Sequence, residues 1–98
     1  MRIDDCIWLD DIVEKLASKH DVLTSEIEQV LADRPHFRYV SKGRHTRNED
    51  VYAAYGQTEA GRYLTIFFIY KPGNLALIIS ARDMDNKERK QYGKHRIS

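Results

Sequence analysis

The stretch Arg62-Tyr63-Leu64-Thr65-Ile66-Phe67-Phe68-Ile69-Tyr70, Lys71-Pro72-Gly73-Asn74, Leu75-Ala76-Leu77-Ile78-Ile79-Ser80-Ala81-Arg82 decides the fold. Two β-rich runs flank a four-residue turn signal in which Pro presets φ and Gly accepts a positive φ. They read as neighbouring antiparallel strands. The second run is nearly all apolar, as a central strand covered on at least one face should be. Upstream, residues 56–61 read as a turn and residues 51–55 as a further strand. Residues 36–40 place Phe37 and Tyr39 two apart, on one face of a fourth strand. Between these lies a polar basic loop holding Lys42, Arg44, His45 and Arg47.

Before Pro35 the period changes. Ile12, Val13 and Leu16 recur at helical spacing, so residues 11–20 read as a helix ending in Lys19-His20, whose cations suit the negative end of the dipole. Ile27, Val30 and Leu31 form the stripe of a second helix, which Thr24 or Ser25 caps, with Ser25-x-x-Glu28 fitting a capping box. Arg34-Pro35 stops it, because proline restricts the residue before it. Residues 6–9 are a short apolar run, either an edge strand or the lead-in to a helix. At the other end Asp83 or Asp85 caps a last helix, with Asp85-x-x-Glu88 as a capping-box relative. The expected fold is α+β: two N-terminal helices, a four-stranded antiparallel sheet and a C-terminal helix.

At 98 residues, 42% hydrophobic and 32% charged, the chain is expected to be one globular domain. Its longest apolar run, residues 66–70, is far short of a membrane span, and its first residues lack a secretory h-region, so the expected compartment is the cytoplasm. Cys6 is the only cysteine, which excludes an internal disulfide and a cysteine-built zinc site; a free buried thiol is expected. Residues 1–33 carry three basic and nine acidic side chains, net −6, whereas residues 34–98 carry thirteen and six, net +7. That asymmetry suits two partners, one of them a polyanion.

A glycine-rich phosphate loop, a Gly-x-Ser-x-Gly elbow and a His-Glu-x-x-His site are all missing, and His20, His36, His45 and His95 have no metal-ligand spacing. No metal and no cofactor are expected. What remains is a set of cations beside a phenol. Arg62 opens the long strand, Arg82 closes the next, and Glu88, Arg89 and Tyr92 stand three and four apart on the last helix. Metal-free phosphodiester cleavage requires a base for the attacking 2′-hydroxyl, cations for the pentacovalent state and an acid for the leaving 5′-oxygen. These residue types supply all three. They equally describe a tyrosine packed on a sheet beside a solvated ion pair.

Ala76 to Met84, followed by Glu88-Arg89 and Tyr92, resembles the C-terminal signature of BrnT-type toxins, an Ile-Ser-Ala-Arg strand end before a Glu-Arg-x-x-Tyr helix. Gly56-Gln57-Thr58 and Gly61-Arg62-Tyr63-Leu64 are similar to the family's hairpin and strand. Lys19-His20 and Trp8 with Asp10 or Asp11 resemble its N-terminal motifs. The resemblance implies a RelE-like fold, an endoribonuclease toxin that inhibits translation, an RNA substrate, and a ribbon–helix–helix antitoxin joined to it in a hetero-oligomer. The positions carried over are Lys19, His20, Arg62, Arg82, Glu88, Arg89 and Tyr92, and the roles we assign are Arg62 and Arg82 on the phosphate, Glu88 as base and Tyr92 as acid or stacking group, with Lys19, His20, Arg89 and the loop residues Arg44 and Arg47 binding RNA. Two departures stand out. Asp21 replaces a usual Gly after Lys-His, and Asp50-Val51 lacks the arginine of an acid–Arg pair, for which Arg44 or Arg47 could substitute. The alternative these departures favour is an inactive toxin-like module that only docks an antitoxin or nucleic acid.

Overall fold

The computed structural model describes residues 1–41 and 49–97. Its elements run β1 (Asp5–Ile7), α1 (Asp10–His20), α2 (Thr24–Ala32), β2 (His36–Ser41), β3 (Val51–Gln57), β4 (Tyr63–Lys71), β5 (Leu75–Asp83) and α3 (Asn86–Ile97). The expected α+β class stands. Strands β2 to β5 form the anticipated antiparallel meander, and β1 adds a fifth strand, giving the order β1-β5-β4-β3-β2. β1 pairs parallel to β5, Asp5 opposite Leu75. The ladder starts where the Asp4 N–H donates to the Asn74 carbonyl at 2.7 Å and Asn74 Nδ2 donates to Asp4 Oδ2 at 3.1 Å. Asn74 sits at φ 59 and Gly73 at φ 87, the turn geometry foreseen from Pro72-Gly73.

Sheet alternation separates two cores. Ala54, Leu64, Ile66, Phe68, Ala76, Ile78 and Ala81 face α1 and α2, meeting Leu16, Val22, Ile27 and Val30. Phe68, Ile27, Leu64 and Ile78 are fully buried, each contributing about 1.5–3 kcal/mol. On the other face Ala53 and Tyr55 pack with Met84, Tyr63, Phe67 and Tyr92 beneath α3. Strict alternation fails once in β5, where Phe67 pairs with Ser80 but Phe68 pairs with Ile78, so Ile79 is an extra residue in a β-bulge. The buried positions accordingly run Ala76, Ile78, Ala81.

The helix ends follow local chemistry, with one correction. α2 begins at Thr24 and the Ser25–Glu28 box is not used. Instead Glu26 reaches back to accept from the Leu23 N–H at 3.0 Å, so the carboxylate does the capping without a hydroxyl partner. α2 ends at Ala32, and Arg34 takes φ 49 ahead of Pro35. α1 ends with Asp21 left-handed at φ 53, ψ 43, and the Val22 N–H donates to the Leu16 carbonyl at 2.9 Å. Asp21 thus takes the conformation a glycine would hold there at less cost. Cys6 is half-buried rather than buried, and desolvation, with Glu28 and Asp5 adding to it, pushes its thiol up to about 11. None of the described helices is long and apolar enough to cross a membrane.

Candidate functional site

The start of α3 is fixed by a capping box. The Glu88 N–H donates to Asp85 Oδ1 at 2.8 Å, and the Asp85 N–H donates to Glu88 Oε1 at 3.0 Å. This cap aims Glu88 back at the sheet, where Arg82 meets it as a fork: Nη1 to Oε1 at 2.6 Å and Nη2 to Oε2 at 3.0 Å. The buried Thr65 hydroxyl, opposite Arg82 in the ladder, donates to the same Oε1 at 3.2 Å. Burial opposes the charge on Glu88 more than any other single influence. The Arg82 bonds, the Asp85 N–H and the Thr65 hydroxyl together outweigh it and hold the carboxyl below the usual glutamate range. Glu88 is therefore ionised at neutral pH, and a poor proton acceptor for its type.

Between α3 and strands β2 and β3 lies a cleft of about 410 Å³, whose walls include Glu88, Gln91 and Tyr92 on one side and His36, Arg38 and Tyr55 on the other. Tyr92 stands edge-on to Tyr63, centroids 6.1 Å apart, and Arg89 lies 4.2 Å over the Tyr63 ring. A smaller cleft of about 270 Å³, lined by Arg89, Lys90 and Tyr63, shares Tyr92 as a wall. Tyr92 accordingly packs on the sheet and borders both clefts, so the packing reading and the site reading of this residue hold together. Among the described residues no group of three or more His, Cys, Asp or Glu is placed to hold a metal ion.

The structure does not bring Arg62 to Arg82. At the start of one strand and the end of its antiparallel neighbour the two would lie side by side across the sheet, but Arg62 precedes β4, in the turn held by Thr58, and its side chain passes to the helical face. There Nε and Nη2 donate to Asp83 at 2.7 and 3.3 Å, and Nη1 donates to Glu26 at 3.1 Å. Nη1 and Nη2 also donate to the carbonyls of Asp21 at 2.6 Å and His20 at 3.1 Å. The five N–H groups of a guanidinium are thereby all taken. The Arg62 bond, against a smaller opposing effect of burial, holds the Asp83 carboxyl below its ordinary range. Arg62 is in effect a clamp on the C-terminal carbonyls of α1.

Lys19 and His20, exposed at the end of α1, ride on that clamp and stand on the opposite layer from the α3 cleft. Arg44 and Arg47 lie outside the described residues. Arg82, Glu88, Arg89 and Tyr92 are the four expected residues that the structure gathers. Sequence reasoning missed His36, Arg38 and Tyr55. The only available signal was the alternation in residues 36–40, which places His36 and Arg38 on the face opposite Phe37.

That combination defines a class: a small α+β domain with arginines and tyrosines gathered on one sheet face, under its last helix. Within that class the chain belongs to the BrnT family, ribonuclease toxins of type II toxin–antitoxin systems, whose sequence model matches residues 8–88. The family's target is RNA and its partner an antitoxin. The matched span contains Lys19, His20, Arg62, Arg82 and Glu88 and stops short of Arg89 and Tyr92. Among proteins of curated function none matches the chain.

Proposed function

We propose that this chain is a metal-independent endoribonuclease of the cytoplasm that cuts RNA in the α3 cleft, and that a ribbon–helix–helix antitoxin neutralises it in a hetero-oligomer. The observation that carries the reading is the Arg82 fork on Glu88, a carboxylate that lines a tyrosine-bordered cleft. A 2′-hydroxyl attacks the adjacent phosphorus and the 5′-oxygen leaves. Arg82 neutralises the charge on the pentacovalent phosphorus with its uncommitted N–H groups. Glu88 Oε2, which among the described residues accepts only from Arg82, takes the proton of the 2′-hydroxyl, and Tyr92 donates one to the leaving oxygen or stacks on a base. Arg89 and Lys90 border the continuation of the strand. The acidic first third of the chain is the surface for a basic partner.

The second reading is a docking module without activity. It is favoured by Val51, which stands where the family resemblance calls for an arginine, and by a Glu88 too firmly paired to be a strong base. Wild type, Arg82→Ala and Tyr92→Phe, matched for melting temperature, separate the two. Loss of a placed transition-state donor costs about a hundredfold or more in rate. Equal cleavage by all three removes these residues from catalysis, and no RNA cleavage by wild type selects the docking module.

A further inference from the structure

We infer that Arg38, together with the Tyr55 hydroxyl, grips a backbone phosphate of the RNA strand lying in the α3 cleft, an assignment that rests on the ribonuclease reading. Arg38 stands on β2, exposed, opposite Ala53 of β3, and lines the cleft from the side facing α3. Its Nε donates to the Tyr55 hydroxyl oxygen at 3.0 Å, and its Cζ sits 5.9 Å from the centre of that ring. These contacts hold the plane of the guanidinium while its two terminal nitrogens take no partner among the described residues. No carboxylate of the described residues forms an ion pair with it.

The contrast with the other arginines decides the assignment. All five donors of Arg62 are spent on Asp83, Glu26 and two carbonyls, and both terminal nitrogens of Arg82 are on Glu88. Arg38 alone among these three keeps a complete fork for phosphate oxygens. Tyr55 is 7% exposed, and because its oxygen already accepts from Arg38, its own proton is free to be donated to the same anion. Across the sheet from Arg38 the ladder runs Ala53, Phe67 and Ser80, and Arg82, in the next row on that face opposite Thr65, lies over the Phe67 ring at 5.5 Å. Ala53 itself is fully buried beneath α3, so the cleft follows the walls that Arg38 and Tyr55 form on the sheet side and Glu88 and Tyr92 on the helix side. A strand lying in the cleft meets Arg38 at one phosphate and the Arg82–Glu88 fork at another.

The test is the salt dependence of binding to a short single-stranded 2′-O-methyl RNA, which lacks the attacking hydroxyl, for wild type, Arg38→Ala, Arg38→Lys and Lys15→Ala. Each phosphate contact to a single strand contributes about 0.7 to the slope of log affinity against log salt. Arg38→Ala is expected to lose about that much slope, Arg38→Lys to keep it with weaker binding, and Lys15→Ala, on the far layer, to keep both. An unchanged slope in Arg38→Ala, an equal loss in Lys15→Ala, or no binding by wild type overturns the assignment. Cleavage of the all-ribose strand is read separately. A wild type that cuts while Arg38→Ala keeps its full slope overturns the phosphate grip alone. A wild type that shows the slope difference but never cuts overturns the nuclease alone.

Discussion

Replacing Arg62 by alanine should weaken the fold and leave the RNA contacts of the α3 cleft intact. The guanidinium joins α1, α2 and β5 through Asp21, His20, Glu26 and Asp83. The Asp83 side chain is 65% exposed, so its pair with Arg62 counts for less than about 1 kcal/mol. Glu26 is 20% exposed and Arg62 25%, so the charge-assisted bonds there are worth more, about 1.5–3 kcal/mol in the usual range. The two α1 carbonyls can rehydrate once released. The expected loss is therefore about 2–3 kcal/mol, which in a domain of this size lowers Tm by roughly 10–15 °C. Urea unfolding of wild type, Arg62→Ala and Arg62→Lys reads it directly, with the lysine variant recovering part of the loss because it keeps the charge without the fork. The deficit should shrink in acid. The folded Asp83 carboxyl lies below its ordinary value, so its contribution is complete above about pH 3.9 and is lost as pH falls through the folded value. An unchanged midpoint in Arg62→Ala, combined with a reduced salt slope for RNA binding, would refute this account and return Arg62 to the phosphate.

Two further outcomes rest on other contacts of the fold. In Gly56→Ala the new Cβ would meet Val30 Cγ1 at 2.8 Å, between β3 and the buried face of α2, and thermal melts should show a loss of about 1–3 kcal/mol. Glu88→Gln weakens the α3 cap and the Arg82 fork and should cost about 1–2 kcal/mol at neutral pH. Because the folded Glu88 carboxyl lies below its ordinary value, that stabilisation is present above about pH 4.3 and fades as pH falls through the folded value, so unfolding midpoints of the two proteins should converge in acid.

The elements carried by local chemistry were legible in the sequence. Pro72-Gly73 marked the hairpin and Asp85-x-x-Glu88 the cap of α3, because turns and caps are settled within four residues. Ser25-x-x-Glu28 misled for a related reason: Glu26, two residues earlier, caps the helix at the Leu23 N–H instead. Non-local pairing was harder. The parallel addition of β1 depends on a partner seventy residues away, and an aspartate followed by two apolar residues does not say which. The site was half visible. Glu88, Arg89 and Tyr92 share a helix, so spacing groups them. Arg62 lies in a turn, where no periodicity reports which layer its side chain enters, and it goes to the helices. Arg38 and Tyr55 belong to different strands, and only their register in the sheet brings them together.

The extra residue in β5 makes the position of Arg82 a matter of counting as well as of chemistry. Ile78 faces α1 and α2, and with simple alternation residues 80 and 82 would face them too. Ile79 reverses the parity, so Ala81 enters the core and Arg82 emerges beside Glu88. Deleting one residue at the bulge would turn the unaltered arginine toward the apolar layer, whereas many substitutions nearby would leave its side of the sheet unchanged. In this strand a length change is the more severe mutation, and comparison of variants by residue identity alone would overlook it.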